Sequence, residues 1–109
     1  MIAYRIVEIR NGQPCSLFHG TDGSRTLPIG KWVKSNRKLV RDGRCSTKYE
    51  SGFHVLKTLK EAQEFFDTMF RIKDNRALVK CEATGLRRKW HSKKRVYLAN
   101  RIKILEVLQ

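Results

Sequence analysis

The sequence predicts an α+β fold, a single mainly antiparallel sheet of about five strands with one amphipathic helix packed on one face. Three observations lead there. Residues 58–72 carry both a helix-start signal and a helical apolar stripe. Residues 2–9, 78–84 and 96–108 alternate with the two-residue period of strands. No second segment is patterned as a helix, so the one helix can bury its apolar face only against a sheet.

Taken in order, residues 2–9 (IAYRIVEI) are rich in β-branched and aromatic side chains and read as a strand. Asn11-Gly12 is a hairpin turn signal, and Cys15 to Phe18 returns as a second strand, with Pro14 placed before the ladder begins. Residues 19–30 read as a loop. Residues 31–34 form a short strand with Trp32 inward between two outward lysines. Residues 35–51 are a long basic loop with almost no apolar content. Phe53 to Leu56 is a short buried strand following Gly52. Thr58 is the N-cap of the helix, and Glu61 completes a capping box. Leu59, Ala62, Phe66, Met69 and Phe70 make the buried stripe, widened by Phe65 and Ile72. After a turn at Asp74-Asn75, Leu78 to Thr84 alternates, with Cys81 as a small core residue. Residues 85–95 form a second basic loop around Trp90. Val96 to Leu108 is one long strand with a bulge near Leu105.

The length of 109 residues fits one domain, residues 1–109, with one modest core. No apolar run is long enough for a transmembrane helix, and the N-terminus lacks the apolar centre of a signal peptide, so a cytoplasmic protein with no membrane partner is expected. Cys15, Cys45 and Cys81 are odd in number and widely spaced, which suits free thiols in a reducing compartment. No Cys-x-x-Cys pair is present and the histidines are scattered, so no metal and no cofactor is expected.

The net charge of +14 is concentrated in two segments. Residues 31–48 and 86–103 together hold fifteen of the 24 basic residues and one of the ten acidic ones. Such a distribution is the electrostatic footprint of a polyanion-binding surface. The second segment adds an aromatic to its bases: Arg87, Arg88 and Lys89 lead into Trp90, and Lys93, Lys94 and Arg95 follow. Lysine and arginine suit backbone phosphates, and an exposed indole offers a stacking surface to an unpaired base. Arg37, Lys38, Arg41 and Arg44 of the first segment are the supporting candidates. Nucleic acid, or a nucleoprotein complex reached through its nucleic acid, is the expected partner, and an acidic protein surface is the alternative.

Two resemblances add to this reading. His19-Gly20-Thr21 and Gly52-Phe53-His54 resemble the nicotinamide-binding part of the diphtheria-toxin-like ADP-ribosyltransferases. That resemblance implies an NAD-using enzyme, or a degenerate relative, with His19 and Gly20 holding the cofactor and His54 where the family has tyrosine. Ala62 falls where the family has a small helical residue. The family's catalytic glutamate would open the last strand, but Ala99-Asn100-Arg101 contains no acid and Glu106 lies too late. A longer resemblance, carried by YRIVEIRNG, LPIGKW, YESGFH and YLANRIKIL, is to small proteins encoded by bacteriophages and prophages. It implies a non-enzymatic regulator or inhibitor of host machinery, acting in the host cytoplasm.

Overall fold

The fold begins with a tight hairpin. Strand β1 (Ile2–Arg10) turns at Asn11-Gly12 into β2 (Gln13–Cys15). Both turn residues have positive φ, 52° and 76°, as a two-residue hairpin turn requires, and Arg10 lies opposite Gln13. Pro14 sits inside this ladder opposite Ile9, not ahead of it as expected. Its carbonyl accepts from the Leu27 N–H on the outer side of β2, so the donor it lacks is missing from that side and the ladder to β1 loses nothing.

The remaining elements are β3 (Trp32–Lys34), β4 (Leu39–Val40), β5 (Tyr49–Glu50), β6 (Phe53–Val55), α1 (Leu59–Met69), β7 (Arg76–Thr84), β8 (Arg87–Arg88), β9 (Tyr97–Ala99) and β10 (Arg101–Val107). They come from a computed structural model that describes residues 1–16, 26–35, 39–40, 49–50, 52–69, 75–88 and 96–109. The fold is α+β. A curled antiparallel sheet of five strands runs β2-β1-β7-β10-β3, and a second sheet of three runs β6-β9-β8. A two-stranded ribbon, β4-β5, forms inside the segment expected to be all loop.

Each face of the large sheet has its own apolar cluster. Ala3, Val7, Val79, Cys81, Ile102 and Ile104 point to one side and meet Phe53, Val55 and Ala99 of the small sheet. Ile6 and Leu78 point to the other side and meet Ala62 and Phe66 of the helix, with Leu56. The helix is anchored as its sequence implies. Thr58 Oγ1 accepts from the Glu61 N–H at 3.1 Å and donates to Glu61 Oε1 at 2.9 Å. The buried stripe is narrower than expected, however. Leu59, at the start of the helix, is 47% exposed. Phe70 and Ile72 lie outside the described residues.

Three further expectations are corrected. Leu27, read as a loop residue, is fully buried, flanked by an isolated bridge from Thr26 to Cys15 and another from Ile29 to Ile104. The expected strand 96–108 is two strands in different sheets, broken at Asn100. Trp32 points outward, because Val33 is the residue opposite the fully buried Ile102, and the period of two then turns Trp32 to the solvent side with Lys103. The expected bulge is present as a register shift between Ile104 and Glu106.

Candidate nucleic-acid interface

The two basic segments have their stems on one small piece of sheet. The first leaves β3 at Ser35, whose N–H donates to the Asn100 carbonyl at 2.7 Å. It returns at Gly52, where an added Cβ would stand 3.0 Å from the Ala99 carbonyl oxygen and 3.1 Å from an Arg87 guanidinium nitrogen. The second leaves after β8, which pairs Arg87 with Leu98 and Arg88 with Tyr97, and re-enters at Val96. The stems therefore flank β9, a strand of 3 residues and about 7 Å.

Asn100 holds this junction together. Its N–H donates to the Thr84 carbonyl at 2.9 Å, its carbonyl receives Ser35, and its Oδ1 accepts from Arg87 at 3.4 Å. Gly85 makes room for it. With φ at +66°, any Cβ there would collide with the Asn100 side chain.

Among the sequence candidates, Arg87 and Arg88 are described, and they differ. Both lie in β8 and not in a loop. Arg87 is half-buried against Asn100 and Gly52, whereas Arg88 is exposed. Beside Arg88, Lys57 places its ammonium 4.1 Å from the centre of the Tyr97 ring, so a cation and an aromatic stand together near the stem of the second segment. Lys89, Trp90, Lys93, Lys94 and Arg95 lie outside the described residues, as do Arg37, Lys38, Arg41 and Arg44. His19 and Gly20 also lie outside them. His54 is described: it is half-buried in β6, opposite Leu98, and its carbonyl accepts from Arg5 Nη1 at 2.9 Å.

Arg5 is the unexpected group. Only 8% exposed, it reaches from β1 to β6 with its guanidinium 5.3 Å from the Phe53 ring centre. Its Nε has no hydrogen-bond partner. Loss of hydration pushes the guanidinium down to about 10, opposed by the nearby Cys81. Burial pushes the Cys81 thiol up to about 11, which keeps it protonated and unreactive at neutral pH. Arg5 ties the two sheets through the His54 carbonyl. Among the described residues, no three His, Cys, Asp or Glu side chains gather as metal ligands. No helix among them is long and apolar enough to cross a membrane.

The sequence reading missed the open face beyond the helix, where β7, β10 and β3 lie side by side. Trp32 is 46% exposed there, with the Lys103 ammonium 5.3 Å from its ring centre. Exposed Lys34 and Arg101 pair across the same strands, two register steps away and so on the same face. The available signal was strict alternation: Trp32 and Lys34, two apart, must share a face, and Val33 is the only apolar choice for the other.

No protein-family model, curated protein or solved structure matches this chain.

Proposed function

We propose that this protein binds nucleic acid, directly or within a nucleoprotein complex, through a non-enzymatic basic surface. One observation carries the reading: the stems of the two segments that hold the entire charge excess flank the same short strand, β9, joined through Asn100. Like charges within a Debye length of each other, about 8 Å at physiological salt, reinforce one potential. The resemblance to phage-encoded proteins fits a regulator or inhibitor of host machinery.

Binding to a phosphate backbone releases condensed counterions. If about six of the clustered bases make contacts, log affinity should fall with log salt at a slope of roughly −4 to −5. Fluorescence anisotropy with labelled single-stranded and duplex oligonucleotides over a salt series measures it. No binding to either at low salt would refute the proposal. A lysate pull-down with and without nuclease then separates the two routes. Partners lost on nuclease treatment indicate nucleic acid, and one protein retained indicates an acidic protein surface instead.

A further inference from the structure

We infer that the open face of the large sheet is a stacking platform for single-stranded nucleic acid, with Trp32 as the base-binding side chain. The inference rests on the nucleic-acid reading and gives it a site and a strand preference. Three features of the face argue for it. First, the indole is nearly half exposed, whereas Tyr4, Phe53, Phe65, Phe66 and Tyr97 are buried or half-buried. Tryptophan has the largest apolar ring to hide, and Val33 rather than Trp32 fills the inward position.

Second, cations surround the ring. Lys103 lies across from it on β10, about 5 Å away by strand spacing, and Lys34 lies about 7 Å along β3. Arg101 stands opposite Lys34. Among the described residues neither Lys34 nor Arg101 has an acidic partner, so both are available to phosphate. Glu82 is the acid on this row, and it is engaged with Lys103 at 3.7 Å. Third, β3 ends at Lys34 and leads through Ser35 to the Asn100 junction, so this face adjoins the stem of the first basic segment.

These features select an unpaired strand. Bases in a duplex have their faces covered by their neighbours, and only a single strand can offer one to an indole. Phosphates on one side of the stacked base would then meet Lys34 and Arg101, which lie in the same direction from the ring. The ring is held by the neighbouring ammonium, so little ordering remains to be done on binding.

The test uses the full chain with fluorescein-labelled oligo(dT) and oligo(U), and a duplex of the same length. Trp32→Ala should weaken binding to a single strand by about 5- to 150-fold, leave duplex binding unchanged and leave the salt slope unchanged, because stacking releases no counterions. Trp32→Phe, which keeps a π-face, should recover most of the loss. The double variant Lys34→Ala, Arg101→Ala should flatten the single-strand slope by about 1.4. The two oligomers separate DNA from RNA as the strand held. Equal single-strand binding by a folded Trp32→Ala variant overturns the platform and leaves the proposed function standing. An equal loss on duplex also overturns it. Wild-type protein that binds none of the three probes overturns both readings.

Discussion

Arg87 and Arg88 are adjacent and chemically identical, yet the fold gives them different work. Arg87 is half-buried, donates to Asn100 Oδ1 at 3.4 Å and lies against Gly52 at the return of the first basic segment. Arg88 is exposed on the same short strand. Arg87→Ala should therefore cost about 1–2 kcal/mol, from a long charge-assisted hydrogen bond and the contact with Gly52. A chain of 109 residues unfolds with an entropy near 0.23 kcal/mol/K, so that cost lowers Tm by about 4–9 °C. Arg88→Ala removes an exposed side chain and should stay within about 0.5 kcal/mol, or about 2 °C. Binding should show the reverse. Arg88→Ala should flatten the salt slope by about 0.7–0.9 if the side chain neutralises one phosphate. Differential scanning calorimetry and anisotropy titrations across salt provide the two readouts. Equal Tm values for the two variants would refute the division of roles. So would an Arg87→Ala protein with unchanged Tm and a flattened slope.

Two further outcomes test the core. Phe66 is 2% exposed between helix and sheet, so Phe66→Ala should cost roughly 3–5 kcal/mol in urea melts, most of the stability of a small domain. Leu59→Ala, on the exposed first turn, should cost under about 0.5 kcal/mol, and a cost like that of Phe66 would contradict the narrow stripe. Cys81 predicts a pH dependence. Its folded thiol is pushed up to about 11, so its contribution is fully present below the unfolded thiol's value of about 9 and is lost as pH rises towards 11. Wild-type stability should thus fall by about 1–2 kcal/mol between pH ~8 and ~10 relative to Cys81→Ala, and parallel curves would refute it. Arg5, pushed down to about 10, adds the opposite slope above that pH, so the comparison belongs below it.

The helix, the first hairpin and the buried role of Cys81 were legible because each rests on local chemistry. Thr58 and Glu61 cap, Asn11 and Gly12 supply positive φ, and residues 79–84 alternate cleanly. What was not legible depends on pairing between distant segments. Leu27 sits between Thr26 and Pro28 in what reads as loop composition, and only bridges to Cys15 and Ile104 make its position a core one. The break at Asn100 also depends on distant pairing, since β9 joins β6 and β8 while β10 joins β7 and β3. Arg5 could not have been found, because its position in an apolar strand argues for an edge, while its side chain is held by a carbonyl 49 residues away. The outward turn of Trp32 runs against the lysine on its N-terminal side, which argues for an inward ring, and the pairing of Val33 with Ile102 decides it.

The junction at Asn100 bears on how a small domain can carry so much like charge on two segments. Fifteen bases with one acid repel one another. The resistance comes from below. Asn100 ties the ends of β3, β7 and β8 through Ser35, Thr84 and Arg87. Arg5 ties β6 to β1 from inside. Both ties are polar, and each engages groups that would otherwise be left unsatisfied when buried, so opening either exposes a cost beyond the lost bond. Apolar contacts would allow the short strands to slide, because hydrophobic burial is non-directional. Hydrogen bonds from a side-chain amide and a guanidinium fix register as well as distance. The stems of the charged segments and the Trp32 face are thereby set by the same hydrogen-bonded floor, and the ordering of that floor is a cost of folding that binding does not repeat.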